Sequence, residues 1–187
     1  MWERTITLCS AGKMFGITGW RLGWAFGHSA LIEKLLRICK CDTFGVPSIL
    51  QHTVAGMLKR QRLCEPSNET YYTWAGNIYK ENYKKLSRAF TEVNMPVVAA
   101  EGGFFMIVDC SKRSFKFQKS TEYITSEEDL DVKIAKGIVN NFKLALLPLS
   151  LFCNPNGENK PTNYLRICFA KSSETVDTAV QIIRSFE

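Results

Sequence analysis

Between Ser10 and Gly23 the sequence reads SAGKMFGITGWRLG, with one lysine and one arginine eight residues apart among four glycines and apolar side chains. A lysine in apolar surroundings is costly when charged, and a neutral amine attacks aldehydes to form Schiff bases. Ala11, Gly12 and Gly16 are small enough to leave room for a flat ring beside Lys13. Ser10 and Arg21 supply a hydroxyl and a fixed cation, the groups that hold a phosphate. An aldehyde, a flat ring and a phosphate together describe pyridoxal phosphate. The same residues also suit a lysine that merely snorkels from a loop beside a strand edge. A second arginine, Arg166, stands inside the apolar run NYLRICF. An arginine in such a strand needs an anionic partner, which is either a carboxylate of the protein or a bound anion.

Elements must hold these residues in place. Thr5–Leu8 reads as a short strand, and Trp20–Gly27 as a second strand, apolar on both faces and buried. SALIEKLLRICK predicts a helix capped by Ser29, with apolar positions at Leu31, Leu35, Leu36 and Ile38. DTFGVPS breaks it, and a second helix is expected from about Pro47, in its first turn, to Leu63. Pro66 interrupts, and a long helix follows from about Glu69 to Val93. After Pro96 strands and helices alternate. PVVAA and GFFMIVD predict a strand pair around Gly102-Gly103, and Ser126–Asp129 caps a helix to about Asn140. FKLALLPLS predicts a strand then a loop, NPNGENKP a loop, and NYLRICFA a strand. Ser172 or Ser173 caps a final helix ending near Phe186.

Composition narrows the function classes. The chain has 187 residues, 45% hydrophobic and 22% charged, enough for a buried core. No apolar run reaches the roughly 18 residues of a membrane span, and with a strand-like run directly after Met1-Trp2-Glu3-Arg4 no leader is expected within these residues. The seven cysteines form no CxxC pair and there are only two histidines, His28 and His52, so no zinc site is expected. Reduced, buried thiols are expected instead. The net charge of +6 concentrates at Lys80–Arg88, which reads as a solvated helix face with no nucleic-acid motif beside it. Neither a nucleic acid nor a membrane is therefore expected as a partner.

The spacing of Ser10-Ala11-Gly12-Lys13, Gly16-Ile17, Gly19 and Arg21-Leu22-Gly23 resembles the lysine-attachment signature of class I pyridoxal-phosphate aminotransferases. MWERTITLCSAGKMFGITGWRLGWAFG, EGGFFMIVD, LALLPLSLFCN and NYLRICFAK are similar, in the same order, to segments of the kynurenine aminotransferases. These are also called glutamine transaminase K or cysteine-S-conjugate β-lyases. LSLFCN and GGFF lean toward the third type over the first.

The resemblance implies an α/β, fold-type I pyridoxal-phosphate-dependent transferase. Residues 1–66 would be a remnant of the large cofactor domain, 67–94 a bridging helix, and 95–187 the α+β small domain. It implies that Lys13 is the Schiff-base and proton-shuttling lysine, and that Ser10 and Arg21 hold the cofactor phosphate. Relatives carry lysine where Arg21 stands. It implies that Arg166 grips the substrate α-carboxylate. Phe44 matches an aromatic that a neighbouring subunit of a homodimer contributes, although packing on its own core is an equal reading. The implied substrates are an amino acid, of kynurenine, glutamine, aromatic or sulfur type, and a 2-oxo acid. Cysteine-conjugate β-elimination is implied as a side activity, and a cytoplasmic or mitochondrial location. In that family the phosphate loop, the ring-stacking aromatic, the asparagine and tyrosine at the ring oxygen and the aspartate at the pyridine nitrogen lie upstream of the lysine. Only 12 residues precede Lys13. The alternative expectation is thus an inactive truncated piece, or partial gene product, of such an enzyme, whose two remaining large-domain strands leave an apolar face uncovered.

Overall fold

The computed structural model describes residues 1–64, 69–113, 115, 128–154, 157 and 160–186. They divide into two compact units, Met1–Tyr71 and Tyr72–Glu187.

In the first unit β1 (Ile6–Ser10) runs straight into a single helical turn, α1 (Ala11–Met14). The chain returns as β2 (Gly23–Gly27), antiparallel to β1, with Ser10 opposite Gly23 and Ile6 opposite Gly27. A side chain at position 23 would place its Cβ 2.6 Å from the Cys9 carbonyl oxygen, so this register requires glycine there. Two helices follow, α2 (Ser29–Asp42) and α3 (Ser48–Arg62). Ala11, Phe15, Leu22 and Val54 form the small core, with Phe15 and Tyr71 rings 5.7 Å apart.

Four expectations fail in this unit. β2 is not buried on both faces: Phe26 is 54% exposed, and Leu8 on β1 is 74% exposed. A two-stranded sheet has no further strands to flank it, and the elements packed on it leave these side chains open. The cap of α2 is His28, whose Nδ1 accepts from the Ala30 N–H at 3.4 Å, because the helix already begins at Ser29. No residue of α2 is buried, and its Cys39 and Cys41 are exposed, so the thiols are not generally buried. Pro47 takes the N-cap of α3 rather than its first turn, and Pro66 lies outside the described residues.

The second unit is built on α4 (Tyr71–Glu92), β3 (Val97–Val98), β4 (Phe105–Asp109), α5 (Leu130–Phe142), β5 (Leu147–Pro148), β6 (Tyr164–Cys168) and α6 (Ser173–Arg184). The strands form one antiparallel sheet in the order β3-β4-β6-β5. Strand periodicity decides what faces the helices. Met106, Val108, Leu165 and Ile167 point into a core completed by Leu86 and Phe90 of α4, Ile138 of α5 and Ile183 of α6. Each such buried side chain is worth about 1.5–3 kcal/mol. The alternate positions, Phe105, Ile107, Arg166 and Cys168, lie on the other face.

Asn82, 2% exposed on α4, donates from Nδ2 to the carbonyls of Phe169 (3.0 Å) and Lys171 (2.9 Å), tying the helix to the exit of β6. Ser172 caps α6, its hydroxyl accepting from the Thr175 N–H at 3.3 Å. Asp129 holds the N-cap of α5, and Ser126 and Glu127 of the expected cap lie outside the described residues. So do residues 155–156 and 158–159 of the expected NPNGENKP loop. The FKLALLPLS strand shrinks to Leu147–Pro148, after which a 3-10 turn occupies Leu149–Phe152. Three of the four basic residues of α4 are ion-paired: Lys84 with Glu81, Lys85 with Asp177, Arg88 with Glu92. Among the described residues no helix is long and apolar enough to cross a membrane, and no cluster of side chains suits a metal ion.

Candidate functional site

Ser10, Lys13 and Arg21 line one cleft of the first unit, with a volume of about 210 Å³. Local backbone geometry gathers them. β1 ends at Ser10, which takes the N-cap position of α1 without a capping bond from its hydroxyl. Ala11 and Gly12 are buried, and the Ala11 N–H donates to the Leu22 carbonyl at 3.1 Å, closing the loop onto itself. Gly16 has φ 68°, Thr18–Trp20 form a 3-10 turn, and Arg21 has φ 52° in the left-handed region. That conformation is uncommon away from glycine and re-aims the chain into β2. Arg21 Nη1 lies 3.5 Å from the Thr18 carbonyl oxygen.

Ser10, Lys13 and Arg21 are all exposed. The apolar enclosure expected around Lys13 is therefore not built by its sequence neighbours, because Ala11 and Phe15 turn inward to the small core while Lys13 turns outward. The cleft offers an amine, a hydroxyl and a guanidinium to one small space. Its volume is below the roughly 300 Å³ at which small-molecule sites begin.

Arg166 belongs to the second unit. It lies on β6 opposite Ile107 of β4 and Leu147 of β5. Its guanidinium carbon sits 4.2 Å from the Phe105 ring centre and 4.0 Å from that of Phe152. Two rings of this kind fix the plane of the guanidinium and add roughly 0.5–2 kcal/mol each. Among the described residues Arg166 forms no ion pair, and its Nε is sealed from solvent without an acceptor. Phe105 and Phe152 were not singled out by sequence reasoning. Phe105 had a readable signal, since it lies two residues from the register partner of Arg166 and so on the same face. Phe152 had none, because its approach depends on how the 3-10 turn folds back.

Phe44 stands on the loop between α2 and α3, 93% exposed and with φ 57°. It does not pack on the core of its own unit. Burial, then the charges of Asp109 and Asp131, pushes the Cys110 thiol up to about 12. Its Sγ–H donates to the Asn163 carbonyl at 2.8 Å.

Over its whole length the chain is 31% identical to kynurenine–oxoglutarate transaminase 3 of Bos taurus and 30% identical to that of Homo sapiens. It is 27% identical to kynurenine–oxoglutarate transaminase 1 of Homo sapiens. The chain spans 40% of the length of the two type 3 relatives and 44% of the type 1 relative. Among solved structures, Bna3p from Saccharomyces cerevisiae superimposes with a TM-score of 0.82 at 26% identity, over 99% of this chain and 43% of that one. YbdL from Escherichia coli, described with a methionine aminotransferase function, gives 0.77 at 25% identity, over 99% and 43%. The family model for aminotransferase class I and II matches residues 2–183, spanning both the lysine cleft and the arginine strand, and the chain belongs to that pyridoxal-phosphate-dependent family of fold type I.

Proposed function

We propose that the protein of which these residues form part transfers an α-amino group from an amino acid to a 2-oxo acid. The donors are of kynurenine, glutamine, aromatic or sulfur type, and cysteine-conjugate β-elimination is a side activity. The observation that carries this reading is the convergence of Ser10, Lys13 and Arg21 on one cleft. These groups fit pyridoxal phosphate: an amine for its aldehyde, a hydroxyl and a cation for its phosphate. When bound, the cofactor withdraws electrons from the substrate α-carbon and so makes its proton removable.

In this reading Lys13 Nζ would hold the cofactor through its aldehyde, and the same amine would serve as the base that takes the proton from the substrate α-carbon. The Ser10 hydroxyl and the Arg21 N–H groups hold the phosphate and fix its orientation. Arg166 binds the α-carboxylate. That role is supported by its orphaned Nε and the absence of an ion pair among the described residues, which favour a bound anion over an internal one. Phe44 reaches a neighbouring subunit of a homodimer. Its 93% exposure and positive φ argue against the core-packing alternative, since backbone strain in an exposed aromatic has no use within its own unit. Residues 1–66 serve as part of the cofactor domain, 67–94 as the bridge and 95–187 as the small domain, in a cytoplasmic or mitochondrial enzyme acting on small molecules alone.

The test is chemical. Borohydride reduction of the protein treated with pyridoxal phosphate, followed by peptide mapping, is expected to place the pyridoxyl label on Lys13. A label on any other lysine in its stead overturns the assignment.

A second reading, that these 187 residues by themselves do not turn over, is favoured by the small open cleft and by the uncovered Leu8 and Phe26. The purified chain with pyridoxal phosphate is expected to show no turnover of kynurenine or glutamine with a 2-oxo acid. Turnover that disappears in Lys13→Ala would overturn that second reading.

A further inference from the structure

We propose that Asp131 is a positioning residue that sets the carboxylate grip of Arg166, an inference that rests on the role of Arg166 proposed above. Asp131 lies in the first turn of α5 with 0% exposure. A buried carboxylate is expensive unless its oxygens are satisfied. Here Oδ1 accepts from the Ser150 hydroxyl (2.9 Å) and from the Val132 N–H (2.9 Å), and Oδ2 accepts from the Ser150 N–H (2.9 Å). No cation pairs with it among the described residues. Two of its three side-chain bonds thus go to one residue, Ser150, itself 2% exposed.

Ser150 is the second residue of the 3-10 turn Leu149–Phe152, and that turn delivers the Phe152 ring to 4.0 Å from the Arg166 guanidinium. Phe152 is 55% exposed, so burial does not hold the ring; the anchored turn does. Leu147, just before the turn, is the register partner of Arg166. The Asp131 backbone N–H donates to the Thr162 carbonyl at 2.7 Å, on the approach to β6. One residue therefore ties down both the ring that stacks on the guanidinium and the strand that carries it. A planar fork pays for two-point binding only when its plane is held. Asp131 holds it through the turn without touching the anion.

The experiment uses the whole, cofactor-loaded protein and two probes, 3-phenylpropionate, which has a carboxylate and no amine, and 2-phenylethylamine, which has an amine and no carboxylate. Asp131→Asn places an N–H group where Ser150 needs an acceptor. It is expected to weaken 3-phenylpropionate in calorimetry by about tenfold, the loss of roughly one charge-assisted bond, and to leave 2-phenylethylamine within about twofold. KM for the amino acid rises with kcat per bound cofactor unchanged. Ser150→Ala keeps the backbone bond and is expected to give about a threefold loss for 3-phenylpropionate alone. If Asp131→Asn does not yield folded protein, Ser150→Ala decides. Equal weakening of both probes, as a purely structural role would give, or unchanged 3-phenylpropionate affinity, overturns the proposal. Arg166→Lys is the control: if it leaves 3-phenylpropionate binding unchanged, the role of Arg166 fails first and this inference falls with it.

Discussion

Replacing Lys13 with alanine in the whole protein is expected to abolish measurable transamination, a loss in kcat on the order of 10⁴-fold. Proton transfer by a positioned group is worth roughly 10²–10⁴-fold, and Lys13→Ala also removes the amine that holds the cofactor aldehyde. The phosphate contacts proposed for Ser10 and Arg21 would remain, so pyridoxal phosphate should still bind, more weakly and without a borohydride-stable link to position 13. Lys13→Arg separates a chemical role from an electrostatic one. It keeps the positive charge, but a guanidinium does not give up its proton in a protein. No rescue by arginine is expected in a steady-state assay. Recovery of activity in Lys13→Arg, or kcat within tenfold of the parent in Lys13→Ala, would remove Lys13 from the chemistry.

Arg166→Lys is expected to cost roughly ten- to a hundredfold in kcat/KM for the amino donor, most of it in KM. Two features of the arginine are lost together. An ammonium has no planar fork for a bidentate carboxylate, and a charge-assisted hydrogen bond is worth about 1.5–3 kcal/mol. It also has no plane to lie between Phe105 and Phe152, whose ring centres stand 4.2 and 4.0 Å from the guanidinium carbon. The sandwich makes the substitution more than a change of reach. Initial rates over a range of donor concentrations measure it. Unchanged KM would return Arg166 to a structural role, for which the structure has no partner carboxylate among the described residues.

The candidate residues of each unit are legible from sequence where their determinants are local. Ser10, Lys13 and Arg21 fall within twelve residues, and the glycines between them fix the turns that fold that short loop onto one cleft. Strand periodicity marks Arg166 as facing away from Leu165 and Ile167, and the core of the second unit follows from the same alternation. Pattern reasoning fails where a neighbouring layer decides. Trp20–Gly27 is apolar enough for a buried strand, yet burial needs a partner surface, and Phe26 stays open. α2 carries the right spacing of leucines, but spacing marks only which face a helix would bury, and none of its residues is buried.

The amino-acid sequence by itself determined the chemistry on offer: an amine, a hydroxyl with a nearby guanidinium, and a strand arginine, in a chain that matches the aminotransferase family. It determined this because each depends on residue type and on backbone geometry over a few positions. Only the tertiary structure decided what stands around them. That Arg166 lies between two rings with no carboxylate partner among the described residues, that Asp131 is buried and bonded to Ser150 nineteen residues away, and that Lys13 faces outward all depend on contacts between segments distant in the chain. Such contacts are chosen by packing of whole elements against one another, and no local pattern records which element arrives.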